Sequence, residues 1–76
     1  MRAFEHGDYV VIEGSEEELD ELADALDDGD EARETAAKIR RGLDKGATRI
    51  AVTRERARAV RELGMGIDRL EEILQR

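Results

Sequence analysis

The chain has 76 residues, no cysteine and a formal net charge of −7. That is the size of one small domain, with no disulfide to staple it. Its longest apolar runs, such as Tyr9-Val10-Val11-Ile12, are far too short to span a bilayer, and no apolar signal segment opens it. A single cytoplasmic domain over 1–76 is expected. Eleven of the thirteen bases are Arg, a usage found in proteins of GC-rich or salt-loving organisms and their viruses.

Residues 2–13 read as a β-hairpin around Gly7-Asp8, a two-residue loop with Gly first, as a type II′ turn wants; type I′ is also open. This register pairs Arg2 with Glu13, which are of opposite charge. Tyr9 to Ile12 is apolar on both faces, so the strand is either central or meets a partner on one side. Gly14 breaks the strand. Ser15 and Glu18 then form a capping box, and Glu16 to Glu18 place acid where the helix dipole favours it. Leu19, Leu22, Ala23 and Leu26 make the apolar stripe of a helix over 16–27.

Gly29 suits a left-handed C′ position and Asp30 the next N-cap, so a second helix is expected over 31–45, with Ala32, Ala36, Ile39 and Leu43 inward and Gly46 closing it. The alternation of Thr48, Ile50 and Val52 with Arg49 and Ala51 predicts a strand over 47–52. Thr53 caps a helix over 54–63. Ile67, Leu70, Ile73 and Leu74 line a last helix over 67–75. A continuous helix from 54 to 75 keeps heptad spacing, but two glycines in its interior cost about 2 kcal/mol, so a break at Gly64-Met65-Gly66 is preferred. The order β-β-α-α-β-α-α predicts an α+β fold: a small three-stranded antiparallel sheet, strand order 1-2-3, packed with helical pairs.

Acid and base are sorted along the chain. Twelve carboxylates and one base lie between Glu13 and Glu34, while eleven bases face six acids from Thr35 onward. Glu17, Asp20, Glu21, Asp24, Asp27, Asp28 and Glu31 leave the apolar stripe and form an acidic face. That face either binds a basic surface of another protein or serves as a solvated face that keeps the chain soluble. Calcium does not fit it: with Gly29 at the sixth position of an EF-hand loop, Leu26 and Thr35 fall where oxygen ligands are required. Lys38, Arg40, Arg41, Lys45, Arg49, Arg54, Arg56, Arg58 and Arg61 form the basic side. They either contact phosphate or pair with acids of the chain itself, Arg58 and Arg61 with Glu55 and Glu62 of their own helix. One Phe and one Tyr offer little for stacking bases.

The segment Leu63-Gly64-Met65-Gly66-Ile67-Asp68-Arg69-Leu70-Glu71-Glu72-Ile73-Leu74 resembles the helix-turn-helix that follows the wing in MerR-type regulators, where an LGF-S-L-D/E pattern precedes a short apolar helix. The preceding strand and Thr-capped helix fit that pattern too. The DNA-reading helix-turn-helix that opens the family has no counterpart in residues 1–46. The resemblance therefore implies the break at Gly64–Gly66 and does not imply DNA binding.

His6 is the single histidine and has no second ligand for a metal site. Gly64-Met65-Gly66 lacks the context of a phosphate loop. No enzyme activity, cofactor or metal is expected. The leading expectation is a stoichiometric protein-binding module, an inhibitor, adaptor or accessory factor of viral type, using the acidic face. A nucleic-acid-binding regulator using the Arg-rich half is the second, and a designed scaffold without biological role the third. A homodimer is expected through Ile67, Leu70, Ile73 and Leu74 or through the sheet, because the core is small and these apolar groups look surplus to it.

Overall fold

The computed structural model describes residues 1–29 and 32–76. The elements are β1 (Arg2–His6), β2 (Tyr9–Glu13), α1 (Glu16–Leu26), α2 (Arg33–Asp44), β3 (Arg49–Thr53), α3 (Arg54–Glu62) and α4 (Leu70–Leu74). This is the expected α+β order, and the antiparallel sheet runs β1-β2-β3. The hairpin register is the expected one, from His6↔Tyr9 to Arg2↔Glu13. Gly7 has φ +60° and Asp8 does not enter the positive-φ region. That is the type II′ pattern and excludes type I′, which needs positive φ at both residues.

Side-chain alternation divides the sheet into two unlike faces. Ala3, Val10, Ile12, Ile50 and Val52 point to the helices and are at most 5% exposed. Leu19, Leu22, Ala23 and Leu26 of α1, Ala36 and Ile39 of α2, and Ala57 and Val60 of α3 complete the core with them. The other face carries Arg2, Phe4, His6, Tyr9, Val11, Glu13, Arg49, Ala51 and Thr53, all half-buried or exposed.

The helix boundaries follow local chemistry, with corrections. Ser15 Oγ accepts from the Glu18 amide and the Glu18 carboxylate accepts from the Ser15 amide, so the capping box is present. Gly29 does not take the positive φ expected of it; α1 instead ends with Asp27 in the right-handed region, and the Gly29 amide donates back to the Leu26 carbonyl. The expected cap Asp30, like Glu31, lies outside the described residues. α2 starts at Arg33 with Ala32 before it and no side-chain cap. Its end is a Schellman motif: the Ala47 amide donates to Gly42, the Gly46 amide donates to Leu43, and Gly46 has φ +79°.

α3 ends at Glu62, and Gly64 and Gly66 both have positive φ, so the continuous helix is excluded. The last helix is shorter than the expected 67–75. Asp68 is drawn into a parallel bridge with Arg2, donating to the Met1 carbonyl at 3.2 Å and accepting from the Ala3 amide at 2.9 Å. Arg69 turns the chain in the left-handed region at φ +68°, and helical geometry begins only at Leu70.

The expected self-association set also needs correction. Ile67, Leu70 and Ile73 are 9%, 3% and 5% exposed within the single chain. They are not surplus: α4 packs on β1 and α3 and closes that end of the core. Only Leu74 stays half-exposed. A dimer through this helix would first have to unpack the monomer.

Two outcomes are expected. Leu70→Ala should cost about 2–5 kcal/mol, a large share of the roughly 4–11 kcal/mol available to a chain of this size. A smaller loss in urea denaturation would place α4 outside the cooperative core. The second concerns Gly42, where an added Cβ would lie 2.5 Å from Ile50 Cδ1. Gly42→Ala gains about 0.5–1 kcal/mol of helix propensity but crowds Ile50 by about 1–3 kcal/mol. Ile50→Val removes the crowded methyl at a cost of about 0.5–1.5 kcal/mol. The double variant should therefore be more stable than the two single costs added together. Strict additivity would mean that Ile50 swings clear unaided.

Candidate functional site

The acidic face is built by α1. Its apolar stripe commits Leu19, Leu22, Ala23 and Leu26 to the core, and the helical period then sends the residues between them outward. Glu17, Asp20, Glu21 and Asp24 on α1 are exposed, as are Asp27 and Asp28 just beyond it. The expected member Glu31 lies outside the described residues. These carboxylates are not equivalent. Arg40 of α2 reaches across to Asp24 at 2.6 Å and also pairs with Asp27. Asp27, and then Asp24, push the Arg40 guanidinium to even higher pKa, so it stays charged. Among the described residues, Glu17, Asp20, Glu21 and Asp28 make no ion pair.

Beside those unpaired acids, α1 and α2 leave a groove of about 570 Å³ lined by Glu16, Glu17, Asp20, Arg40, Leu43 and Asp44. Half-buried Leu43 gives the groove an apolar element, four carboxylates stand around it, and its single cation is already committed to Asp24 and Asp27.

At the start of α1 the acid has a structural task. Glu18 Oε2 accepts from the Met1 ammonium at 2.7 Å. The ammonium first, and the Ser15 amide next, hold the Glu18 carboxyl down at about 2. Glu18 thereby fixes Met1 onto the start of the helix.

Five of the nine basic-side residues, Lys38, Arg40, Arg49, Arg54 and Arg56, are engaged within the chain. Arg49 pairs with Glu13 at 2.6 Å, Arg54 with Glu5 at 2.8 Å and Arg56 with Glu34 at 2.7 Å. Arg54 also donates to the Ile73 carbonyl, and Lys38 to the Ala51 carbonyl. These partners lie on other elements. The expected pairs of Arg58 and Arg61 with Glu55 and Glu62 do not form among the described residues. Arg41, Lys45, Arg58 and Arg61 make no ion pair there either.

Sequence reasoning missed the content of the open sheet face. The chain has one Phe, one Tyr and one His, and Phe4, Tyr9 and His6 all stand on that face. Tyr9 is 49% exposed. The signal was present in the hairpin register, which places Phe4 across from Val11 and His6 across from Tyr9.

Among the described residues, no three His, Cys or acidic side chains are placed to hold a metal ion, and no helix is long and apolar enough to cross a membrane. No family model matches the chain, and neither a curated protein nor a solved structure does.

The Glu18 pair gives a pH test. A carboxyl held at about 2 in the folded chain and near 4.5 otherwise binds fewer protons folded than unfolded. Its stabilisation is full above about pH 4.5 and is lost as pH falls toward 2. Glu18→Gln should therefore be less stable than the parent at neutral pH, and the two should converge between those values. A gap in denaturation midpoint that stays constant down to pH 2 would show that the pair contributes nothing.

Proposed function

We propose that the protein is a non-enzymatic protein-binding module that engages a basic partner through the acidic α1 face, as a stoichiometric inhibitor, adaptor or accessory factor. The observation that carries this reading is the groove between α1 and α2. Glu16, Glu17, Asp20 and Asp44 line it, its one lining cation Arg40 is committed to Asp24 and Asp27, and Leu43 offers an apolar contact for the stem of an inserted Arg or Lys. The nucleic-acid reading loses support from the same charges, since Arg40, Arg54 and Arg56 are spent on acids of the chain.

The pairing pattern also selects the variants to make. Reversing Asp24 or Asp27 would break their bonds to Arg40, so a combined change of Glu17→Lys, Asp20→Lys and Glu21→Lys is the cleaner probe. An oligo-arginine peptide should bind the parent at about 0.15 M salt, and the variant should lose at least about tenfold in affinity. Binding should weaken further as salt rises and screens the exposed charges. Equal affinity for parent and variant would reduce the face to a solubility device.

A further inference from the structure

The open face of the sheet shares no residue with the groove between α1 and α2. Aromatic side chains of small domains normally supply core volume. Here the core contains none, and Phe4, His6 and Tyr9 stand on the face that no helix covers. Across the three strands, Phe4, Val11 and Ala51 form one apolar row through the pairs Phe4↔Val11 and Val11↔Ala51. On one side of that row lie His6, Tyr9 and Thr53. On the other lie Arg2, Glu13 and Arg49, also in register.

The arginine row gives the face its sign. Glu13 accepts from Arg2 Nε at 2.9 Å and from Arg49 Nε at 2.6 Å, one on each carboxylate oxygen. The two guanidiniums hold Glu13 below the ordinary carboxylate range, so it stays charged and fixes both. Each arginine spends only its Nε. The terminal nitrogens of both make no bond among the described residues, and the side chains are 56% and 69% exposed. The Arg2 guanidinium lies 4.7 Å from the centre of the Phe4 ring. The face therefore carries a net positive charge within a chain of −7, with two oriented forks that each fit a carboxylate.

We propose that this sheet face docks an amphipathic helix of a partner protein whose apolar stripe is flanked by carboxylates. The stripe lies along Phe4, Val11, Ala51 and Tyr9, and the carboxylates meet the free edges of Arg2 and Arg49. Size selects a helix over a second copy of this chain. Three strands of five residues present roughly 14 by 17 Å, small against the roughly 800 Å² per partner of a standard stable interface, so the face suits a transient contact with one helix better than a permanent dimer. One helix about 10 Å across covers it. Nucleic acid is disfavoured because Val11 and Ala51, in the middle of the row, have no ring for a base to stack on.

Tyr9 is the only tyrosine and the chain has no tryptophan, so intrinsic fluorescence reports on this face alone. The probes are a helical peptide with a Leu stripe flanked by Glu, the same peptide with Lys for Glu, and oligothymidine. The Glu peptide should change Tyr9 emission with a micromolar dissociation constant, and the Lys peptide should bind at least about tenfold more weakly. Arg2→Gln with Arg49→Gln should lose at least about tenfold for the Glu peptide. Tyr9→Lys, at a position 49% exposed, should lose as much by calorimetry while keeping the parent's far-ultraviolet dichroism. The proposal is overturned if neither peptide binds, if both bind equally, if oligothymidine binds more tightly than the Glu peptide, or if the free protein sediments as a dimer that Tyr9→Lys dissociates.

Discussion

Val10 and Ile12 on β2 face Val52 and Ile50 directly across the ladder, and the helices are arranged by what they lay against this patch and its flanks. α2 packs on β3, α3 on both β2 and β3, α4 on β1, and α1 on α2. With so few large side chains, one sheet face is all the helices can bury, since each anchor contributes only about 1.5–3 kcal/mol. The two-faced character of the molecule follows from that shortage. The buried face is wholly aliphatic, and the ring-bearing residues stand on the side left over.

Electrostatics acts on a different scale. The pairs Arg40–Asp24, Arg49–Glu13, Arg54–Glu5 and Arg56–Glu34 all join separate elements, but each is at least partly solvated, and such pairs contribute little to stability. They set how charge is distributed more than how stable the fold is. Free acid is left on α1, while the outer edges of Arg2 and Arg49 stay open on the sheet. A chain sorted into acidic and basic halves thus becomes a molecule with one acidic groove and one small cationic sheet face.

The features legible in the sequence were those fixed by near neighbours. Hairpin register follows from Gly7-Asp8 and the Arg2–Glu13 pair, the start of α1 from Ser15 and Glu18, and the break near Gly64 from the helix cost of two glycines. The features that were not legible depend on distant residues. Gly29 needs no left-handed turn, because Leu26 already accepts from its amide. Ile67, Leu70 and Ile73 looked surplus only because the sequence does not show that β1 lacks any other cover at its outer end. For the site, the outward direction of Glu17, Asp20 and Glu21 was readable from helical period. The capture of Asp24 and Asp27 by Arg40 was not, because that residue comes from another helix. The open aromatic face was readable in principle, since the register already implied it, but a count of aromatics hides the fact that all of them share one side.

The bridge between Arg2 and Asp68 spans nearly the whole chain, and the bond from Arg54 to the Ile73 carbonyl and Glu5 ties the same corner together. Closing so long a loop is entropically costly, and contacts of high sequence separation form late. Loop-closure entropy by itself favours the local hairpin and the α1–α2 pair first, β3 next, and α4 last, on an edge that already exists. Run backwards, the same order makes this corner the first to open. The Ala3 amide, held by Asp68, then exchanges with solvent ahead of those of Val10 and Ile12, although all three side chains are equally buried.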